Sequence, residues 1–376
     1  MKSVRELECQ GKAVFYRPDY NVPLKDGEIQ DDFRITATFP TLDVLIEKGA
    51  KIIIGAHLGR PDSPENPAFD LRPVAERLAD QYPQNAVFYA HAIDDPEVSK
   101  SIETMQPGDM LLLPNLRYNE GEEKNSPEYA KQLAGLAEFY VNDAFACDHR
   151  AHASIVGIPA LIPGYAGLLL EEEVSRLGSL LDKPEHPFVV VMGGAKVSDK
   201  IEVIKRLAEK ADTILVGGAM ANTFLLAKGE KIGDSLAEAD KVDVAKELIK
   251  SLGEKLVLAT DFVKDNEADA EHFKYLDIGE QSVEEFAHKL KDAKLIFWNG
   301  SLGYTEDDKY AVASKDIAEF IGGLKSTTSI VAGGDTVEMI SRLGLHDKFS
   351  FVSTGGGAAL EFLAGEKLPG VVALEK

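Results

Sequence analysis

The chain has 376 residues, 44% of them apolar and 28% charged, which is enough core for about two soluble domains. Its formal net charge of −22 excludes general nucleic-acid binding, because a phosphate backbone would be repelled. Two cysteines, Cys9 and Cys147, cannot build a disulfide framework and suit a reducing cytosol, and the opening MKSVRELECQ carries no secretory-type apolar segment.

Apolar runs that read as strands alternate with stretches of helical spacing. In the first half the strands fall at 12–16, 51–56, 86–90, 110–114 and 139–145, with helical stretches such as TFPTLDVLIEKG and LRPVAERLADQY between them. An uncharged stretch at 153–170 is nearly long enough to cross a membrane. Gly157, Pro159, Pro163, Gly164 and Gly167 interrupt it and EEE follows at 171–173, so it reads as a buried connection. LLLEEEVSRLGSLLD then reads as a linking helix that KPEHP ends. The second half has strands in FVVVMGG, TILVGG, KLVLAT, KLIFWNG, SIVAGG and FSFVSTGG, with helices such as KIEVIKRLAEKA and SVEEFAHKLKDA.

Continuous apolar strands separated by helices predict two doubly wound, Rossmann-like α/β domains, each a parallel sheet flanked by helices. The boundaries fall at 1–165 and 184–365, with a linker over 166–183. Ligands belong where strand C-terminal ends meet helix N-termini.

The two halves differ in their basic residues. Before residue 165 stand 8 of the 11 arginines; after it stand 22 of the 30 lysines. Arginine offers a planar fork for carboxylate or phosphate, whereas lysine is a mobile point charge. Arg17 in RPDYNVPL, Arg60 in AHLGRP, Arg117 in NLRYNEGEE and Arg150 in CDHRAHAS each follow a strand. Any one of them reads first as structural; four such loops on one sheet edge predict a pocket for a small, multiply charged anion. CDHRAH also invites a thiolate or zinc reading, but it lacks an orienting third group and well-spaced ligands.

In the second half the motifs are glycine turns: MGGAKVSDK, VGGAMAN, AGGDTVE and STGGGAA. A single such turn is usually only a turn. Four, each between a strand and a helix, can aim N–H groups at phosphate oxygens. Lys196 and Lys200 add charge, and Asp335 with Thr336 offers the oxygen ligands Mg²⁺ prefers.

These motifs resemble those of the phosphoglycerate kinases, and the likeness runs across the whole chain. It is carried by DYNVPL, HLGRP, NLRYNEGEE, NDAF with HRAHAS, GGAKVSDKI, GEKIGDSL, DIG, WNG with Glu306, GGDT and STGGGAALEFLAGEKLPGV. The resemblance implies that Asp19, Tyr20, Asn21, Arg34, His57, Leu58, Gly59, Arg60, Arg117 and Arg150 hold 3-phosphoglycerate. It implies that Lys200, Gly217, Gly218, Gly279, Asn299, Glu306, Gly333, Gly334, Asp335 and Thr336 hold ADP or ATP, with Glu306 on the ribose and Asp335 at Mg²⁺. Arg34, Lys196, Lys200, Gly355 and Gly356 are the expected catalytic groups.

By the same resemblance the product is 1,3-bisphosphoglycerate, the segment 366–376 packs back on the first domain, and the halves close about residues 165–185. A cytoplasmic monomer without nucleic-acid or membrane partners is expected. The sequence departs from the family pattern at Pro18, at Tyr20 and at Ser301, which takes the place of a proline and predicts a looser nucleotide loop. A nicotinamide dehydrogenase would need a G-x-G-x-x-G turn, and none stands out. A catalytically silent relative acting as a binding protein would be expected to have lost Arg34, Lys200 or Asp335, and all three are present.

Overall fold

The computed structural model describes residues 1–63 and 66–375. The chain divides into two compact units, Met1–Val174 together with the segment from Lys367 onward, and Ser175–Glu366. The first carries β1 (Ala13–Pro18), a small hairpin of β2 (Leu24–Lys25) and β3 (Glu28–Ile29), β4 (Lys51–Ile54), β5 (Val87–Tyr89), β6 (Met110–Leu112), β7 (Phe139–Asp143) and β8 (Gly164–Ala166). Its sheet runs β5-β6-β4-β1-β7-β8, all parallel. Helices α1 (Phe33–Thr36), α2 (Phe39–Glu47), α3 (Arg72–Gln81), α4 (Pro96–Thr104) and α5 (Pro127–Ala134) lie between its strands. Helix α6 (Leu168–Asp182) is the helix read as a linker, and the division between units falls inside it.

The second unit carries β9 (Phe188–Met192), β10 (Thr213–Val216), β11 (Leu256–Leu258), an antiparallel hairpin of β12 (Phe262–Lys264) and β13 (Tyr275–Ile278), β14 (Leu295–Asn299), β15 (Thr328–Ala332) and β16 (Phe351–Val352). Between them stand α7 (Ile201–Ala208), α8 (Gly218–Ala227), α9 (Val242–Leu252), α10 (Glu280–Leu290), α11 (Val312–Gly322) and α12 (Gly334–Arg342); α13 (Gly357–Ala364) follows β16. The sheet runs β11-β10-β9-β14-β15-β16 and is parallel throughout. This is the doubly wound order whose direction reverses between its first and fourth strands, β9 and β14, where such sheets bind ligands. The first unit reverses in the same way between β1 and β7.

All five residues of β9 and of β14 are buried, as are all three of β6. That is why these strands read as unbroken apolar runs: helices cover both faces of the sheet. β8 and the two strands of the β12–β13 hairpin escaped the strand reading. β8 lies within the glycine- and proline-rich stretch, yet Tyr140 N donates to Pro163 O (2.9 Å), and Ala166 N to Lys2 O (2.8 Å). Pairing of this kind uses backbone groups alone and leaves no side-chain signature. The hairpin strands β12 and β13 are short apolar runs, FVK and YLDI, on either side of an acidic loop, with Phe262 stacked on Tyr275. The rest of the 153–170 stretch is a wide turn at Ala153–Gly157 and a short 3₁₀ turn at Ile158–Ala160, with Leu161 54% exposed. Among the described residues no helix is long and apolar enough to cross a membrane.

The terminal helix α14 (Pro369–Ala373) belongs to the first unit. Gly370 N donates to Asp148 O (2.9 Å), and a Cβ at Gly370 would come within 2.1 Å of Asp148 Oδ1. Only glycine lets the segment approach so closely.

Candidate active site

In the first unit β6, β4, β1 and β7 are parallel neighbours, so the loops at their C-terminal ends lie side by side. These loops carry Arg117, then His57 to Arg60, then Asp19 to Asn21, then Arg150; Arg17, expected after the strand, lies within β1 itself. Asp19 is 4% exposed and pairs with Arg34 of α1. Burial pushes the Asp19 carboxyl up, but Arg34, His57 and Arg17 outweigh it and hold it below the usual carboxylate range. Asn21 Oδ1 accepts from Gly59 N (2.8 Å), and Gly59 O accepts from Arg117 Nη1 (2.6 Å). Gly59 has φ +56°, and a Cβ there would strike the Phe69 ring at 2.3 Å. Arg60 is exposed and Arg150 half-buried.

Beneath this surface lies a network the motifs did not announce. Arg17, 1% exposed, donates from Nε to Ser154 Oγ (2.8 Å) and from Nη1 to Pro18 O (2.5 Å). Buried Glu122 accepts from Ser154 N (3.0 Å) and Ser154 Oγ (2.5 Å). Arg17 Nη2 also lies 3.4 Å from His57 Nδ1. Guanidinium can only donate, so Nδ1 is the acceptor and the neutral ring carries its proton on Nε2. Burial lowers the His57 pKa well below its ordinary value, with Arg17, Arg117 and Arg150 adding to the effect against Asp19. His152 falls to about 4 through burial and the same three arginines. The field here is strongly positive.

Cys147 is 2% exposed, and burial pushes its thiol up to about 12, so it is no nucleophile at neutral pH. Asp19, His57 and Cys147 bring ligand atoms within 4.8 Å of one another. Arg17 Nη2, 3.8 Å from Cys147 Sγ and closer still to His57, sets a positive charge where a cation would have to sit. Two of the expected binding residues turn inward. Tyr20 and Leu58 both belong to the apolar core, with the Tyr20 hydroxyl 3.2 Å from Thr38 Oγ1.

In the second unit the ends of β9 and β14 touch backbone to backbone. Gly194 N donates to Ser301 O (2.7 Å), and Gly193 N to Asn299 O (2.9 Å). Gly300 has φ +92°, and a Cβ there would lie 2.3 Å from Gly193 O. Lys200, 9% exposed, reaches under this contact and donates to Gly193 O (2.7 Å). Burial lowers its ammonium from 10.5 to about 8, with Asp335 and Asp199 resisting the shift. Lys196 is exposed.

The four glycine turns are not equivalent. At VGGAMAN, Gly218 N and Met220 N donate to Leu302 O and Gly194 O (each 2.9 Å), so α8 spends its first N–H groups on the protein. MGGAKVSDK instead forms an eight-residue loop, 193–200, between β9 and α7, which starts only at Ile201. Gly279, at the head of α10, packs on Asp261, whose carboxylate already accepts from Gln281 N and Ser282 N. The starts of α12 and α13 differ. Among the described residues no acceptor takes the N–H groups of Gly334, Asp335 and Thr336, or of Gly356 and Gly357. Open N–H groups at a positive dipole end suit phosphate oxygens. Gly355 N is occupied by Ser353 Oγ (3.0 Å).

Asp335 stands exposed on the first turn of α12, an oxygen donor of the kind Mg²⁺ takes. Asn299 Nδ2 donates to Ala332 O (2.9 Å), while its buried Oδ1 has no partner. Glu306 lines a small pocket of about 50 Å³ with Asp335, Glu338 and Arg342. These residues fit a magnesium-bound polyphosphate. The model of the phosphoglycerate kinase family matches residues 4–366. The chain belongs to the phosphoglycerate kinase family.

Among its relatives, a phosphoglycerate kinase of Akkermansia muciniphila is 46% identical, covering 99% of this chain and 97% of that protein. One from Pseudothermotoga lettingae is 44% identical over 98% of this chain and 97% of its own. The solved phosphoglycerate kinase of Coxiella burnetii superimposes with a TM-score of 0.85 at 35% identity, covering 99% and 98% of the two chains. That of Pyrococcus horikoshii gives 0.87 at 30% identity, covering 100% and 98%.

In this phosphoglycerate kinase family member the loop at Ser301 is not loose. Ser301 is 7% exposed and its carbonyl is held by Gly194 N, a bond that does not depend on the side chain. Ser301→Pro is therefore expected to leave the ADP dissociation constant unchanged in titration calorimetry; tighter binding would restore the looser loop.

Proposed function

We propose that this chain transfers a phosphoryl group reversibly between MgATP and the carboxylate of 3-phosphoglycerate, giving ADP and 1,3-bisphosphoglycerate, a glycolytic step. The first unit takes the phosphoglycerate and the second takes the nucleotide. What carries the reading is one arginine-lined sheet edge in the first unit together with open helix N-termini and Lys200 in the second.

The acceptor carboxylate is already ionised at neutral pH, so the reaction needs no general base. The chemistry of the first unit suits that requirement. His57 and His152 are held neutral and Cys147 keeps its proton, leaving Arg34, Arg60, Arg117 and Arg150 to supply positive charge. His57 offers an Nε2–H donor, fixed in that tautomer by Arg17. In the second unit Lys200 and the N–H groups that open α12 and α13 neutralise charge spread over the moving phosphoryl oxygens. Asp335 would hold Mg²⁺, which would supply further positive charge there.

The decisive experiment is a coupled assay with 3-phosphoglycerate, ATP and Mg²⁺, in which ATP-dependent turnover is expected and its absence in folded protein ends the reading. An activated acyl phosphate must be kept from water, so the units close over both substrates about the α6 region. Small-angle scattering should register a smaller radius of gyration with both substrates than with either one, and an unchanged radius refutes closure. The protein is assigned as a cytoplasmic monomer, consistent with two unpaired, buried cysteines.

A further inference from the structure

Helix α12 carries Asp335, Glu338, Met339 and Arg342 toward one small pocket, together with Thr305 and Glu306. The helical positions are i, i+3, i+4 and i+7, which is one face of the helix over two turns. Asp335 marks the end proposed to meet the metal. Arg342 marks the other end, and its Nη2 donates to Thr305 O (2.8 Å), the carbonyl immediately before Glu306.

Thr305 is 7% exposed, so its carbonyl has little access to solvent as an alternative partner. The other partner of Arg342, Asp308, lies 4.0 Å away and is 97% exposed, a pairing of little strength. Among the described residues Arg342 is also the only basic side chain lining the pocket, against the carboxylates of Glu306, Asp335 and Glu338. Without it, Glu306 would lose the anchor of its backbone and face two like charges.

We infer that Arg342 is a positioning residue for nucleotide recognition: through the Thr305 carbonyl it holds the Glu306 carboxylate where the ribose hydroxyls bind. The inference rests on the proposed ribose role of Glu306. One helix therefore sets both ends of the nucleotide site, with Asp335 and the open N–H groups at its start and the ribose contact at its finish.

The test compares kcat/KM for ATP and 2′-deoxy-ATP in the wild type, Glu306→Gln, Arg342→Met and the double variant. Arg342→Met is expected to raise the KM for ATP about tenfold, the size of one lost charge-assisted hydrogen bond, and to leave the KM for 3-phosphoglycerate unchanged. Its preference for ATP over the deoxy analogue should collapse toward that of Glu306→Gln. The double variant should be no worse than Glu306→Gln alone, because the two residues act through one contact.

A lowered Tm with the nucleotide preference intact makes Arg342 merely structural and overturns the inference, as do losses that multiply in the double variant. If the wild type handles both nucleotides equally and Glu306→Gln changes nothing, the ribose role of Glu306 itself falls, and the inference with it. Should Arg342→Met misfold, Arg342→Lys carries the same comparison, since it keeps the charge but lacks the planar fork.

Discussion

Replacing Lys200 by alanine is expected to lower kcat by about 10²–10³, the usual cost of deleting one preorganised donor to a charge that develops in the transition state. The group is poised for that task by its burial. Its ammonium titrates at about 8 instead of 10.5, because burial penalises the charged form more than Asp335 and Asp199 stabilise it. In the free protein the charge is therefore lost as pH rises through about 8, and kcat/KM for ATP should fall along that limb. A profile flat to pH 10 would remove Lys200 from the role.

The same shift has a sign for stability. A lysine with a depressed folded pKa weighs against the native state below about pH 8, and that cost disappears between there and 10.5. The cost is about 3 kcal/mol at neutral pH. The hydrogen bond from the ammonium to Gly193 O returns about 1.5–3 kcal/mol of it. Lys200→Met should consequently show the same loss of rate with a Tm equal to or above that of the wild type, a trade of stability for function. A large drop in Tm would mean that the lysine is there for the fold.

Arg34→Ala is the second change of large expected effect, with kcat reduced by about 10²–10³. Its guanidinium is 29% exposed and paired with the buried Asp19, which leaves a forked donor beside the arginine-lined sheet edge without burying it. Removing it also strips Asp19 of the neighbour that does most to hold its carboxyl down. A depressed carboxylate stabilises the native state above its unfolded pKa of 3.8, and that stabilisation is lost as pH falls through the lower folded value. The variant should therefore unfold at a higher pH than the wild type in acid titration followed by circular dichroism. Arg34→Lys should recover the acid stability but little of the rate, since an ammonium lacks the two-point geometry. Near-normal turnover in Arg34→Ala would exclude Arg34 from the chemistry.

Much of the fold is legible in the order of residues along the chain. Eleven strand-like apolar runs correspond to strands of the two parallel sheets, because sheets covered on both faces demand continuous apolar sequence. β8 is not legible because it pairs through backbone groups within a glycine- and proline-rich stretch, and β12 and β13 are not because each is an apolar run of only three or four residues beside an acidic loop. The candidate site divides in the same way. Residue type and position alone mark Arg17, Arg60, Arg117, Arg150, Lys200 and Asp335 as charged groups near strand ends, whereas Arg34, on α1, is marked only by the family resemblance. What each group faces is set by loops distant in sequence. Tyr20 and Leu58, adjacent to residues proposed to bind substrate, have their side chains in the core. The start of α8 is closed by Leu302 and Gly194, whereas those of α12 and α13 stay open, although all three follow glycine turns.

The sequence by itself thus determined the class of fold, the segregation of arginines from glycine turns, and the chemistry of an anion acceptor and an anion donor. Only the tertiary structure decided which N–H groups remain free, that Arg17 sets the tautomer of His57, and that burial brings Lys200 near neutrality. The physical reason is that a side chain's identity is local, while its desolvation and its hydrogen-bond partners come from segments tens of residues away.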